Sequence, residues 1–402
     1  MDYFFIISFH LFLLQNIINK YINQFKLFDE AYFIIICIMF FIIIMLRPKR
    51  IGYISKQERK IIKWIPIFFI VGIFANVKYR YQLQNIAIIK DMLAISKFII
   101  CYLFILIIGA RIDKEILLKK IAKQSRVYIL IIFAFGIVNL VFDIGMGHGN
   151  RYGIRAYKFL YDHPTYLVCS IVVLISVLIA EGTKNNNKYI MMSLIILLLT
   201  CRSKAIVYVF IYFFMSYILK HKVKIKLSHI LCIAVIGLIL TYSKIMEYVS
   251  YGYKAARPAL YLTGFTIFKE NFPFGSGFGT FASYLSGKYY SDVYYHYNLY
   301  TVLGMTKDNY SYIGDTFWPY IYGQFGCIGL IIFLYILFSL VLSAYRRYSY
   351  SLNKFKSMIL LLIYVLIAST SEAIFTDSTG QFAFMVFSVF LGSNNLNKKL
   401  GK

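Results

Sequence analysis

Long stretches of this chain carry no charged side chain. Residues 32–46, 165–180 and 329–342 are uncharged throughout. With its flanks, each is long enough to form a helix of about 20 residues crossing about 30 Å of hydrocarbon. A membrane-spanning barrel would show weaker segments of about ten residues with alternating polarity, and that pattern is missing. Composition points the same way. The chain is 60% hydrophobic and 15% charged, whereas a soluble domain is nearer half apolar and about a quarter charged. The excess apolar surface has to face lipid.

Apolar runs place twelve spans, at 3–19, 30–46, 62–77, 92–110, 127–143, 165–180, 188–200, 204–219, 229–244, 317–343, 357–373 and 380–394. The expected fold is therefore an all-α integral membrane protein with about twelve transmembrane helices. Residues 1–402 form one polytopic domain, because neither an internal repeat nor a Pro/Gly/Ser-rich linker divides them. The N-terminus lacks a basic region and a small-residue cleavage site, so its first apolar run reads as a span and not as a removed signal peptide. Five of the six cysteines (Cys37, Cys101, Cys169, Cys232, Cys327) fall inside apolar runs and Cys201 ends one. None forms a C-x-x-C pair, so neither a disulfide framework nor a zinc site is indicated.

The formal net charge of +26 would suggest nucleic acid in a soluble protein. Here the basic residues sit in short loops between spans, as the positive-inside rule requires, and no nucleic-acid motif stands apart from them. Loops after even-numbered spans hold most of them, including Arg47, Lys56, Arg59, Lys119, Lys120, Lys123, Lys222, Arg346 and Lys354. Those loops and both termini are expected to be cytoplasmic. Three segments then face outward: 144–164, the turn at 201–204, and the large extracytoplasmic loop at 245–316 between the ninth and tenth spans. A connection of that length is more often functional than filler.

Basic residues on the outer face run against the rule, which makes them informative. Arg151 and Arg155 lie in the first outer segment, Arg202 in the turn and Arg257 early in the long loop. A guanidinium is a permanently charged planar fork that suits phosphate oxygens; contact with lipid headgroups is the plainer alternative. Glycines at 275, 277 and 279 mark backbone that turns tightly or approaches something closely. A tyrosine-rich tract follows, including Tyr284, Tyr289, Tyr294, Tyr300 and Tyr312; it fits either sugar stacking or an interfacial belt. General-base candidates are His163, His296, Asp308 and Asp315.

The ordered set resembles the O-antigen ligase and polymerase family of membrane glycosyltransferases over roughly residues 150–395. It comprises Cys201-Arg202-Ser203-Lys204 between two helices, Arg257 heading the long loop, and the Pro273/Gly275/Gly277/Gly279 cluster. It continues with Asp315-Thr316-Phe317-Trp318-Pro319 through Gly326 and Gly329, and closes on Ser371-Glu372-Ala373. Where ligases of that family carry His-Asn, this chain has Asp315-Thr316, which favours a polymerase-like member. The resemblance implies a bacterial cytoplasmic-membrane enzyme joining polyprenyl-diphosphate-linked repeat units into O-antigen, capsule or exopolysaccharide. Arg202 and Arg257, with Arg151 and Arg155, would hold the diphosphate, and Asp315 or His296 would serve the acceptor hydroxyl. No cofactor or metal is expected. The expected partners are the donor and acceptor glycans, the bilayer, a flippase and a chain-length regulator, with no nucleic acid. The rivals are a flippase for the same lipids, an O-antigen ligase, and a transferase using polyprenyl-phosphate sugars, for which Asp29 and Glu30 are the acidic candidates.

Overall fold

A computed structural model describes residues 2–48, 54–221, 242, 246–348 and 351–391. The described residues are overwhelmingly helical, and seven of their helices are long and apolar enough to cross a membrane. The principal helices are α1 (Asp2–Ile18), α2 (Phe28–Leu46), α3 (Lys56–Tyr79), α4 (Asn85–Ile108), α5 (Lys114–Val141), α6 (Pro164–Glu181), α7 (Thr183–Leu199) and α8 (Ser203–Lys220). They are followed by α9 (Ala256–Glu270), α10 (Trp318–Tyr348), α11 (Leu352–Ala368) and α12 (Ser378–Leu391). Eleven of the twelve expected spans fall on helices, namely α1–α8 and α10–α12. The expected ninth span at 229–244, Cys232 and the C-terminal lysines lie outside the described residues.

Local chemistry starts several helices. Ser55 and Glu58 form a reciprocal capping box at α3, and Asp113 accepts from the amides of Glu115 and Ile116 at α5. These contacts satisfy amides that have no partner within the helix. At α6, Pro164 occupies the first turn directly after His163, where its missing N–H costs nothing.

Lipid and protein faces separate cleanly. α6 is buried from Leu167 to Ala180, so it runs through the middle of the bundle. α2 turns Ile34, Ile38, Phe41, Ile42 and Met45 outward, as a lipid-facing helix must. Two of the ionisable groups inside the bundle have polar partners from other helices. Lys97 Nζ lies 2.7 Å from Asp29 and 2.9 Å from Glu30, and Glu58 accepts from the Tyr102 hydroxyl at 3.1 Å.

The 246–316 connection is not an unstructured loop. It opens with residues 246–250 in helix, continues through α9, and then enters the bundle as nine consecutive buried residues, Gly275–Ser283. The glycines explain how. α10 breaks at Gly326, whose φ of 58° and ψ of −156° are not helical. The break frees the carbonyls of Gly323 and Gln324, which accept from the amides of Ser276 (2.9 Å) and Gly277 (2.8 Å). The amide of Ile328 donates in turn to the Pro273 carbonyl at 3.2 Å. Broken backbone at membrane depth survives only where protein repairs the lost bonds. Here the backbones touch: a Cβ on Gly326 would sit 2.4 Å from the Pro273 oxygen.

On its other side the inserted segment is held by α3 and α4. Asn76 accepts from the Phe278 amide (2.7 Å) and donates to its carbonyl (2.9 Å). Asp91 accepts from the Gly279 amide at 2.8 Å, and Gln82 donates to the Gly279 carbonyl at 2.9 Å. The glycine cluster is therefore a structural lock, one of the two readings its spacing allowed.

Candidate functional site

Five helix ends meet at one end of the bundle: the starts of α6, α8, α9 and α10, and the end of α11. Cross-bonds fix them to each other. The Phe317 amide donates to the Ser369 carbonyl (3.3 Å), and the Tyr261 hydroxyl donates to the Thr370 carbonyl (2.9 Å). A short hairpin, β1 (Gly147–Arg151) paired antiparallel with β2 (Ile154–Tyr157), reaches the same place.

Arg202 is set by the turn between α7 and α8. Cys201 adopts a left-handed φ of 51°, which reverses the chain within two residues and leaves Arg202 as the extended residue ahead of α8. No side chain caps α8, so its positive end adds to the local charge. Arg202 Nη2 donates to His163 Nε2 at 2.9 Å. A guanidinium can only donate, so Nε2 is the acceptor here, while Nδ1 faces the Thr165 hydroxyl at 2.5 Å and the Thr165 amide at 3.3 Å. The His148 ring from the hairpin packs edge-on against His163, with centroids 4.9 Å apart.

Burial is the main cause that pushes the His163 imidazole down to about 4, with Arg202, His148, Lys204 and Arg151 adding to it. Burial likewise lowers the Arg202 guanidinium to about 10, helped by Arg151 and Arg257 and opposed by Cys201. The sequence-predicted residues Arg151, Arg202 and Arg257 thus share one electrostatic field.

Arg257 lies in the first turn of α9. It donates through Nη1 to the Tyr248 hydroxyl (2.9 Å) and through Nη2 to Asp315 (3.2 Å). Burial raises the Asp315 carboxyl above the usual carboxylate range, against the opposing Arg257 charge. Lys204, only 8% exposed, pairs with Glu372. The Nε atoms of both Arg202 and Arg257 are buried without an acceptor among the described residues. Four cations, two of them with unused buried donors, make a site suited to a multiply charged oxyanion.

Two predicted residues are engaged elsewhere. Arg155 pairs with Asp143 (3.5 Å) and donates to the Asn139 carbonyl (3.1 Å), bracing the hairpin against α5. His296 packs on Tyr81 and Tyr297, with centroids at 5.9 and 4.7 Å; its packing partners lie outside the cluster because the tract carrying it folds toward α3. Asp29 and Glu30 are likewise taken, by Lys97. Tyr248 as an Arg257 partner and His163 as the Arg202 acceptor were not assigned from sequence. His163-Pro164 does carry a helix-start signal, but nothing local links it to an arginine 39 residues away.

No family model matches this chain, and no curated protein matches it.

Proposed function

We propose that this protein is a bacterial cytoplasmic-membrane glycosyltransferase that polymerises polyprenyl-diphosphate-linked oligosaccharide units into a surface polysaccharide. In this reading it has about twelve spans, both termini are cytoplasmic, and the 246–316 connection and the arginine cluster lie on the outer side. The observation that carries the proposal is the gathering of Arg202 and Arg257 at one end of the bundle, each with a buried Nε–H that has no partner among the described residues, beside Arg151 and the Asp315 carboxyl.

In the reaction an acceptor hydroxyl oxygen attacks the anomeric carbon of the donor and the bond from that carbon to the diphosphate oxygen breaks. Positive charge builds on the sugar ring and negative charge on the diphosphate. Arg202 and Arg257 would stabilise the departing diphosphate, as fixed donors do wherever charge develops. Asp315, released from Arg257 as the diphosphate takes that guanidinium, would accept the acceptor's proton. Donor and acceptor glycans are the proposed substrates, with a flippase delivering the donor and a chain-length regulator as a further partner.

Engagement of Asp29 and Glu30 with Lys97 weighs against the polyprenyl-phosphate-sugar transferase, which needs free carboxylates. A flippase would line a central cavity with ionisable groups, whereas Lys97, Glu58 and Lys204 are all partnered inside this bundle. A ligase would use the same arginines on a different acceptor.

The test is the surface polysaccharide of a deletion strain complemented with wild type, Arg257→Ala or Asp315→Ala, with membrane expression matched. Long chains restored by wild type and not by Arg257→Ala support polymerisation. Accumulation of lipid-linked units on the cytoplasmic leaflet would identify a flippase. Unattached long chains would identify a ligase.

A further inference from the structure

At the other end of α5 lies a feature that glycosyl transfer does not use. A groove of about 580 Å³ runs between α1 and α5, lined by Tyr3, Ile6, His10, Lys120, Lys123, Gln124 and Val127. α5 has 28 residues, or about 42 Å at about 1.5 Å per residue, more than a hydrocarbon core of about 30 Å. Its last charged residue is Arg126, and the remainder to Val141 is uncharged. The uncharged stretch from Val127 onward therefore lies within the hydrocarbon, with Lys120 and Lys123 toward its headgroup edge. The far end of α5 leads into the hairpin that touches His163, so the groove opens on the membrane surface opposite the arginine cluster.

The lining is graded in the same sense. Lys120 and Lys123 form the polar mouth, Ile6 and Val127 an apolar wall further in, and His10, 2.8 Å from the Tyr128 hydroxyl, lies one turn beyond Ile6. Lys120 is engaged only loosely, 4.0 Å from Asp2 and 5.7 Å from the centre of the Tyr3 ring. Lys123 makes no ion pair among the described residues. Gln124 Oε1 is buried in the groove near the His10 ring, with no well-formed hydrogen bond from a donor among the described residues. A ligand filling this space would offer an anion to the lysines, a hydroxyl to Gln124 and an apolar chain to the wall.

We infer that the α1–α5 groove is a binding site for an anionic phospholipid, with its phosphate between Lys120 and Lys123, a headgroup or glycerol oxygen at Gln124, and an acyl chain along Ile6 and Val127. A free phosphate would leave the apolar wall uncovered. A zwitterionic lipid would bring its own cation against the lysines. Long-chain anionic lipids meet both demands, and basic clusters at the interface select them. The inference stands independently of the glycosyl-transfer proposal.

The experiment is native mass spectrometry of the purified full chain titrated with phosphatidylglycerol or phosphatidylcholine. Phosphatidylglycerol should bind about tenfold more tightly, and the Lys120→Gln/Lys123→Gln double variant should remove that preference. Lys119→Gln, one residue away on another face of α5, should leave it intact. Asp2→Asn should strengthen phosphatidylglycerol binding by removing a neighbouring carboxylate. Val127→Trp, which fills the apolar wall, should weaken both lipids. Equal binding of the two lipids, an equal loss in Lys119→Gln, or displacement of phosphatidylglycerol by inorganic phosphate would each overturn the assignment.

Discussion

Lowering the pH from 7 to 5 should cost this protein stability through one histidine. His163 titrates at an ordinary 6.5 in the unfolded chain and near 4 in the fold. Between those values the unfolded state binds the extra proton, so stability falls as pH drops below 6.5 and levels off below about 4. From 6.5 down to pH 5 the difference is worth about 2 kcal/mol at about 1.4 kcal/mol per unit. Partial solvent access brings the expectation to roughly 1–2 kcal/mol. Asp377, raised to about 6 chiefly by burial, works in the opposite direction, because its carboxyl gains a proton more readily when folded. His163→Gln isolates the histidine: it keeps an acceptor for Arg202, cannot titrate, and leaves Asp377 untouched. Thermal unfolding of the full chain in detergent at pH 7 and pH 5 should show wild type losing roughly 1–2 kcal/mol more than His163→Gln. Identical losses in the two proteins would refute a His163 held neutral in the fold by its burial beside Arg202.

Three further outcomes are expected. Asn76→Ala strips both partners from the buried Phe278 peptide, at about 2–4 kcal/mol; it should lower the melting temperature and open residues 271–283 to protease. Lys97→Met leaves Asp29, only 7% exposed, as an uncompensated buried charge costing about 3–5 kcal/mol, and adding Asp29→Asn should recover most of that loss in the same unfolding assay. Arg257→Lys keeps the charge but loses the fork that serves Tyr248 and Asp315 together. Under the proposed glycosyl transfer, polymer yield per unit of membrane-inserted protein should fall by about 10²–10³, close to the effect of Arg257→Ala.

Much of the candidate site was visible as residue types in unusual places. Arg151, Arg202 and Arg257 stood out because arginines are scarce on the side opposite most of the basic charge, and Asp315 because it sits just before a span. Their partners were not visible. Arg257 meets Asp315 across 58 residues, and Lys204 meets Glu372 across 168. Arg155 has the same chemistry and the same neighbourhood in sequence as Arg151. Only the register of the hairpin, which pairs Arg151 with Ile154 and Asn150 with Arg155, carries one toward Arg202 and the other toward Asp143.

The sequence alone determined that this chain is a bundle of membrane-crossing helices, and where most of them run. That signal is local: a backbone in hydrocarbon must satisfy its own hydrogen bonds, so every sufficiently long apolar run becomes a helix. The tertiary structure decided the fate of the long connection. Its glycines could equally have marked a ligand loop or a buried turn, because glycine reports only that something comes close. Gly275 meets Gly326, and Gly277 meets Asn76. Those neighbours lie some 50 and 200 residues away in the chain, so packing alone could show that the close approach is to the protein itself.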